Sequence, residues 1–336
     1  MSIPYRTQQV LKRMCIAVLV IAVILAAALV CWVIWIQRYI VYTDSGARLD
    51  FNLPPMAEGQ LAVPTEGMDV SIHVHDKNAS VDISTELTQL NGYYVEPEAL
   101  SDLAAVKAQI QQLKAGTPVI IDMKNIYGSF YYSSTVSSFR SNTVNTQAMD
   151  ELVSYLRRSG MYTIARIPAL RDYNYGLNHV PDGVHHSSGL YLYQDDQGCY
   201  WLNPESRGTL AYLVQIINEL KNLGFDEVVL YDFCFPSSTA ILVNGDKAEL
   251  LSKAAKELVS ACTTATFALS FEKTAEFTVP DGRCRVYLRG LEASQAADAA
   301  ANSGVSDPLV KVVFLTELYD TRFNDYSVMR PLSGAH

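Results

Sequence analysis

The stretch PVIIDMKN, residues 118–125, decides the fold class of this chain. Its first four residues form a nearly continuous apolar run, which is typical of a strand covered on both faces in a parallel sheet. Two polar residues, Asp122 and Lys124, end the run. Because the working residues of parallel α/β barrels lie at the carboxyl ends of strands, the stretch predicts a buried strand and two candidate site residues.

Short apolar segments and amphipathic helical patterns alternate on both sides of this stretch. A helix predicted to open at Pro97 has Leu103, Val106, Ile110 and Leu113 on one face and ends at Gly116. A second has its buried stripe at residues 149–156 and stops at Gly160. The other predicted strands are GYYVE (92–96), YTIARIPAL (162–170), FDEVVLYDF (225–233), TFALSFE (266–272), CRVYLRG (284–290) and KVVFLTE (311–317). This order of elements predicts an α/β protein with a parallel sheet.

Two further helix starts are predicted from capping residues. Asn203 and Pro204 are expected to open one helix, and Asp246 with Glu249 another. The alternating region is long enough, at about 250 residues, for a (β/α)8 TIM-type barrel, which we place at residues 89–325 with irregularity at its C-terminal end. No GxGxxG or GxxxxGK[ST] loop follows a strand, so no cofactor is predicted. Residues 326–336 are predicted to be a C-terminal tail.

The N-terminal region predicts a membrane anchor. Residues 15–36 carry no charge and are long enough to cross about 30 Å of hydrocarbon as a transmembrane helix. Arg6, Lys12 and Arg13 precede this run, so residues 1–14 are expected in the cytoplasm and the C-terminal domain outside the cell. A cleaved signal peptide is the alternative. Residues 37–88, rich in turn formers, predict an extracellular linker with one short strand at 68–76.

Charge and cysteine content limit the partners. The net charge is −9 and no stripe of Lys and Arg is present, which argues against a nucleic-acid partner. None of the six cysteines forms a CxxC pair. Four of them could form disulfides in an oxidising compartment or remain buried thiols, and the sequence leaves this open: Cys199, Cys234, Cys262 and Cys284.

The residues that close the predicted strands give the candidate site. Besides Asp122 and Lys124 they are Arg166, Asp232, Glu272, Arg289 and Glu317. Several carboxylates with a few cations suit glycoside hydrolysis, in which one carboxyl protonates the leaving oxygen and another attacks or activates water. The alternative for Asp122 with Lys124 or Arg166 is a buried ion pair that holds the barrel mouth.

Tyrosines in one loop and a pair of histidines are further candidate site residues. Tyr131 and Tyr132 follow the second strand and could stack on sugar rings, which favours a carbohydrate or cell-wall glycan as partner. The alternative is that these tyrosines only pack at the edges of loops and have no functional role. His73 and His75 share one side of a predicted strand, a spacing seen in metal sites. No further strand ends in His, so a metal-dependent hydrolase is only the third hypothesis and no metal is predicted.

Five segments carry a resemblance to a known family. GYYVEPEAL, PVIIDMKNIYGSFYYSS, MYTIARIPALRD, YWLNPES and GFDEVVLYDFCFP are similar, in order and spacing over residues 92–238, to bacterial glycosidase-like domains of unknown specificity. That family resembles amylase-like barrel enzymes. Its Asp-x-Lys and Gly motif matches Asp122, Lys124 and Gly128, and its Ala-Arg-Ile with a later Lys-Asp matches residues 165–167 with Arg171 and Asp172. The resemblance implies that these residues belong to a site.

The fourth strand departs from the family pattern. Asp232 is displaced by one position, and Cys234 stands where the family has Arg. Because neighbouring strand residues face opposite sides, Asp232 is expected to point away from the site unless a bulge restores it. We therefore hold two main hypotheses. One is a membrane-anchored, extracellular glycoside hydrolase with catalytic Asp122, Asp232 and Glu272, and substrate-binding Lys124, Arg166, Tyr131, Tyr132, Arg171, Asp172 and Arg289. The other is an inactive glycan-binding or envelope scaffold barrel.

Overall fold

The computed structural model describes residues 40–43, 46–49 and 86–334. The chain divides into two units, Met1–Ala79 and Ser80–His336. In the first unit, β1 (Ile40–Thr43) and β2 (Gly46–Leu49) form an antiparallel hairpin inside the predicted linker. The predicted transmembrane helix (15–36) and the strand at 68–76 with its two histidines lie outside the described residues. Within those residues, no helix combines the length and the apolar character needed to cross a bilayer.

The second unit is built on a closed barrel of eight parallel strands. Each strand is paired with its neighbours in the chain, and β10 closes the ring between β9 and β3. This confirms the prediction of a parallel (β/α)8-type barrel. The strands are β3 (Asn91–Tyr94), β4 (Pro118–Asp122), β5 (Tyr162–Pro168), β6 (Glu227–Tyr231), β7 (Ala268–Glu272), β8 (Val286–Arg289), β9 (Val312–Leu315) and β10 (Ser327–Pro331).

The eighth strand corrects the predicted C-terminal boundary. The sequence predicts a tail at residues 326–336, but β10 pairs with β3 through Val328–Pro331 and with β9 through Ser327–Met329. The segment SVMRP is short, contains Arg and ends in Pro, so it lacks the long apolar run that reveals the other strands. Val328 and Met329 are nevertheless buried. The barrel therefore extends past residue 325.

Seven α-helices lie in the described part of the chain. They are α1 (Leu103–Ile110), α2 (Thr146–Ser159), α3 (Tyr173–Asn178), α4 (Arg207–Leu223), α5 (Lys247–Cys262), α6 (Ala296–Ala301) and α7 (Pro308–Lys311). The predicted stop of α2 at Gly160 is confirmed by its left-handed backbone, and Asp246 caps α5 by accepting from the Glu249 N–H. The start predicted at Asn203 is wrong. Its side chain accepts from the Glu205 N–H to make a turn, and Ser206 is the N-cap of α4.

The outer layer is incomplete on its C-terminal side, as the sequence predicts. Across the described residues, no α-helix lies between β7 and β8, and only a 3-10 turn (Thr321–Phe323) lies between β9 and β10. The aromatic residues Phe277 and Phe323 are buried there and cover the strands in place of a helix. The barrel is thus regular where the family-like segments occur and irregular after them.

The interior of the barrel is layered, and the layers position the site. Its middle consists of apolar side chains that include Ile120, Ile164 and Val229. Below them, at the N-terminal ends of the strands, Glu227 is ion-paired with Arg285 and accepts hydrogen bonds from three hydroxyl groups. Because alternate strand residues face inward, the next interior layer toward the carboxyl ends is formed by the residues that close the strands. That upper layer is polar.

Candidate active site at the barrel mouth

Four of the predicted site residues meet in this upper layer. Arg166 is the centre: its Nη1 donates to both oxygens of Asp122, at 3.0 and 3.1 Å, and its Nε donates to Glu272 Oε2 at 2.8 Å. Arg289 Nε lies 3.7 Å from the other oxygen of Glu272. One guanidinium therefore links carboxylates from β4 and β7. The mouth combines two acids and two cations within a single cluster of ion pairs.

Aromatic rings form the walls of the cluster. The guanidinium carbon of Arg166 lies 3.9 Å from the centre of the Tyr231 ring, and that of Arg289 lies 5.2 Å from the centre of the Tyr94 ring. Burial raises the pKa of Tyr231 well above its ordinary value, so its hydroxyl remains protonated. Sequence reasoning missed Tyr231. The signal was present, because Glu227, Val229 and Tyr231 alternate along β6 as inward-facing residues must.

The environment of Asp122 disfavours its charged form relative to a carboxyl group in water. Burial raises its pKa, and it prevails over the charge and the hydrogen bonds of Arg166, which act to lower the pKa. Only 8% of the residue is exposed. Since both of its oxygens accept from Arg166, Asp122 fixes the position of that side chain more directly than it reaches toward a ligand.

Asp232 follows β6 and has an unusual backbone. Its φ is 51°, the one positive value outside glycine in the described residues. In a continuous strand Asp232 would face away from the interior, as the one-position shift predicts, but the left-handed turn redirects the chain after Tyr231. Its Oδ2 lies 3.9 Å from Nη1 of Arg171, and its side chain is 26% exposed. Burial raises its pKa, opposed by the charges of Arg171 and Arg166. Asp232 therefore lies beside the cluster and is more accessible than Asp122.

The left-handed turn leads to a stability prediction. Asn tolerates this backbone nearly as well as Asp does, whereas Ala is strained there by about 1–2 kcal/mol. We expect Asp232→Asn to unfold at the same urea concentration as the wild type, and Asp232→Ala to lose about 1 kcal/mol of unfolding free energy. Equilibrium denaturation measures both. Equal stability of the two variants would contradict a strained turn at this position.

A second charged group, on the long loop after β5, adjoins Asp232. Arg171 donates through Nε to Asp195 Oδ2 at 2.7 Å, and Trp201 Nε1 donates to the same oxygen at 2.9 Å. Burial acts to raise the pKa of Asp195, but the Cys199 N–H, Trp201 and Arg171 together hold it below its usual range. Asp195 and Trp201 were not predicted, because nothing local in the sequence shows that the loop folds back on itself. Arg171 is thereby held next to Asp232.

A family comparison identifies this kind of domain. A family model described as "Putative glycosyl hydrolase domain" matches residues 93–270, which is more than half of the 336-residue chain. The chain belongs to this family. The match contains Asp122, Arg166 and Asp232 but ends two residues before Glu272. The resemblance predicted from the five segments is confirmed.

Solved structures with a similar fold include three that differ in origin. A hypothetical protein from Ruminiclostridium thermocellum is 17% identical, with a TM-score of 0.46 over 54% of this chain and 97% of that one. A GH20 exo-β-N-acetylglucosaminidase from Vibrio harveyi is 11% identical, with a TM-score of 0.45 over 68% of this chain and 41% of that one. The glycoside hydrolase domain of PelA from Pseudomonas aeruginosa is 13% identical, with a TM-score of 0.40 over 74% and 96%. The chain thus spans less than half of the Vibrio enzyme. No curated protein matches it in sequence.

Two residues predicted to bind substrate lie beneath the mouth of this glycosyl hydrolase domain. Lys124 Nζ is 2.6 Å from Asp172 Oδ2, and the two side chains are 1% and 0% exposed. Tyr212 donates to the same Asp172 oxygen at 2.8 Å, and the Tyr175 N–H donates to Oδ1. The two charges are therefore paired with each other inside the protein. This corrects the expectation of substrate contact, because β4 ends at Asp122 and Lys124 then points between the loops.

The two tyrosines predicted to bind substrate, Tyr131 and Tyr132, lie in different surroundings. Tyr131 is half-buried near Asp122, whose charge, with burial as the larger cause, raises the tyrosine pKa. Tyr132 is buried instead, and its hydroxyl donates to Glu219 of α4 at 2.7 Å. The prediction that Tyr132 stacks on sugar is wrong, because its ring is buried and its hydroxyl is bound to Glu219. Glu219 also accepts from Ser134 and Thr135, so it holds the loop that carries Tyr131.

The described residues settle the state of four cysteines and bear on metal binding. Cys199, Cys234, Cys262 and Cys284 are free thiols, three of them buried, so the alternative of disulfides among them is excluded in this structure. No group of three or more His, Cys, Asp or Glu side chains is arranged to hold a metal ion in the part of the chain that is described. Glu317, the last predicted strand-end residue, is exposed after β9.

Proposed function

We propose that this domain hydrolyses glycosidic bonds of an extracellular or cell-wall polysaccharide, with Asp232 as proton donor and Glu272 as the second carboxylate. The observation that supports it is the placement of two acids with different surroundings at one barrel mouth. Pairs of carboxyl groups whose environments differ in this way take the acid and base roles in glycosidases. The family assignment supports the reaction class, and residues 15–36 support an anchor that holds the domain at a membrane surface.

The two acids suit different steps. Asp232 is the more exposed acid, and burial raises its pKa, which is the direction required of a group that protonates the leaving oxygen. Glu272 lies between the guanidinium groups of Arg166 and Arg289, one near each of its two carboxylate oxygens. An ionised Glu272 can attack the anomeric carbon or take a proton from a water that does so. In the first case, water later releases the sugar and Asp232 accepts its proton.

The surrounding residues would orient the sugar. Asp122 positions Arg166 through two hydrogen bonds, and Arg166 in turn positions Glu272. Tyr131 and Arg171 are partly exposed at the mouth and can donate hydrogen bonds to sugar hydroxyls. Trp201 keeps Arg171 in place through their shared partner Asp195. These residues take the substrate-orienting part that the sequence predicts for Lys124.

The reaction is tested by incubating the wild-type chain with purified peptidoglycan and a panel of polysaccharides. We expect new reducing ends from at least one polymer, measured by a colorimetric assay for reducing sugars. The Asp232→Asn variant is the control, because it preserves the shape of the turn and removes the proton. Equal release by this variant and the wild type would show that Asp232 is not the acid.

The pH dependence gives a prediction specific to Asp232. A proton donor works only below its own pKa, so activity should fall as pH rises through the pKa of Asp232. Because the charge of Arg171 lowers that pKa, Arg171→Gln should raise it and move the alkaline limb of the kcat/KM profile to higher pH. Arg289→Gln is the matched control, since Arg289 contacts Glu272 instead. An alkaline limb that stays in place in Arg171→Gln would contradict the assignment.

A second function, glycan binding without catalysis, is favoured by one observation. Arg166 already forms ion pairs with both Asp122 and Glu272, so two of the three acids have a fixed partner inside the protein. Such a mouth could bind a sugar through Arg171 and Tyr131 without breaking a bond. Calorimetry with the same polysaccharides separates the two functions. Saturable binding that Tyr131→Ala abolishes, with no reducing ends released, would support the binding protein.

A further inference from the structure

A groove outside the mouth is formed by the loop after β5. This loop makes a ribbon that folds back on itself, with bridges between His185 and Leu192 and between Gln194 and Tyr200. The groove lies between the ribbon, α3 and the loop after β6, and has a volume of about 690 Å³. It is lined mainly by aromatic and aliphatic side chains, among them Leu177, His186, Leu190, Tyr191, Tyr193 and Tyr200. Nothing in the proposed reaction uses it.

The groove carries the most exposed large apolar side chains of this part of the fold. Leu190 is 85% exposed and Tyr191 56% exposed, and Leu177 is exposed as well. A contiguous exposed apolar patch is uncommon on a soluble surface and marks a binding region. Such a patch therefore needs a ligand to account for it.

The aromatic rings of the groove are held in place before any ligand binds. The Tyr191 ring stacks on the His186 ring, with centroids 4.7 Å apart and planes within 20°. His186 is itself fixed by a hydrogen bond with the Ser188 side chain. Tyr200 stacks on Tyr173 at 5.4 Å. Rings that already stack on a neighbouring ring lose less conformational entropy on binding than free rings do, so these two can act as platforms for a ligand.

The lining contains no Asp, Glu, Lys or Arg among the described residues, although the whole chain carries a net charge of −9. A charged ligand would lack a counterion there, so a neutral ligand fits best. Tyrosine hydroxyls, the Gln194 amide and the His186 ring can exchange hydrogen bonds with a polar rim. A sugar ring combines an apolar face of C–H groups with a rim of hydroxyls, which matches this combination of flat rings and polar edges.

The groove and the mouth are connected through Asp195. Trp201, next to Tyr200, hydrogen-bonds to Asp195, and Asp195 holds Arg171 beside Asp232. Consecutive residues of the ribbon thus contribute to the groove and to the acid cluster. A polymer held in the groove would be kept close to the reacting acids.

We propose that this groove is a glycan subsite outside the mouth, and that it binds a neutral, linear chain of β-1,4-linked pyranoses. In such a chain of glucose or N-acetylglucosamine units the ring substituents are equatorial, so each ring offers a flat face to Tyr191 or Tyr200. The proposal rests on the proposed function, because it adds a polymer-binding subsite to the same active site. It implies that the domain acts on long polysaccharide chains, because a short chain would contact the mouth alone.

The test is calorimetric titration of the full chain with cellohexaose and with chitohexaose. Glu272→Gln is present in every sample to prevent cleavage during the titration. We expect saturable binding of at least one hexasaccharide, weakened about tenfold by Tyr191→Ala, which corresponds to about 1.4 kcal/mol and lies within the range of an aromatic contact. Maltohexaose, whose α-linkages curve the chain away from a flat platform, should bind more weakly than the β-linked probe.

Leu309→Ala is the matched control, because Leu309 is another exposed apolar side chain but precedes β9 at the opposite end of the barrel. It should bind as the Glu272→Gln parent does. No binding of either β-linked hexasaccharide, or equal affinity in Tyr191→Ala and Leu309→Ala, would overturn the subsite. Binding that depends on Tyr191 in a chain that releases no reducing ends would keep the subsite and remove the hydrolase. Reducing ends released by the wild type, without binding that depends on Tyr191, would keep the hydrolase and remove the subsite.

Discussion

Replacing Glu272 by Gln should lower kcat by about 10²- to 10⁴-fold on whichever polysaccharide the wild type cleaves. Gln keeps the size of the side chain and can still accept the hydrogen bond from Arg166. It cannot attack the anomeric carbon or take a proton from water, so the chemical step loses its second carboxylate. The release of reducing ends under saturating substrate measures the effect, and KM should change much less than kcat.

Glu317→Gln provides the control for this prediction. Glu317 also follows a barrel strand, but it is exposed and is not part of the hydrogen-bonded cluster around Arg166. The control should therefore keep nearly the full rate. Thermal unfolding of both variants shows whether either loses structure. A Glu272→Gln chain that is as active as Glu317→Gln would remove Glu272 from the reaction and favour the binding protein.

The strand ends were predictable because parallel barrels obey two strong local rules. Buried strands read as apolar runs, and the polar residues that close them share one face of the barrel. These rules placed Asp122, Arg166, Glu272 and Arg289 together. They failed for β10, whose five residues include Arg330 and Pro331, because a short strand supported by two neighbours needs little apolar signal of its own.

Side-chain direction beyond the strand ends could not be predicted in the same way. Lys124 comes two residues after Asp122, so strict alternation would place both at the mouth, but the strand has ended and Lys124 turns under the loops to Asp172. The same reasoning failed in the opposite direction at Asp232. There a left-handed turn keeps the acid beside the cluster when alternation predicts that it faces away. Loop backbone, which the strand rules do not cover, decides both cases.

Contacts between distant loop residues also could not be predicted from the sequence. Asp195 and Trp201 contribute to the site only because the loop after β5 doubles back and brings them to Arg171. The pairing partners within this loop depend on long-range geometry, which the local sequence does not show. The sequence therefore predicted the scaffold and its inner acids better than the loop residues that complete the mouth.

Replacing Lys124 by Met should cost about 3–5 kcal/mol of unfolding free energy, the largest stability effect expected here. Met retains most of the side-chain volume but leaves the Asp172 carboxylate buried without its cation. The ion pair, with Tyr212, joins the loop after β4 to α3 and α4, so its loss should loosen all three. Chemical denaturation monitored by circular dichroism gives the free energy.

The double variant Lys124→Met/Asp172→Asn separates structure from substrate binding. The introduced amide would carry no charge. It could still accept from the Tyr175 N–H through Oδ1 and donate through Nδ2 to the Tyr212 hydroxyl oxygen, so most of the lost stability should return. Because neither side chain reaches the mouth, KM of the folded double variant should equal that of the wild type. A Lys124→Met chain that is fully stable but has a raised KM would instead restore Lys124 as a substrate-binding residue.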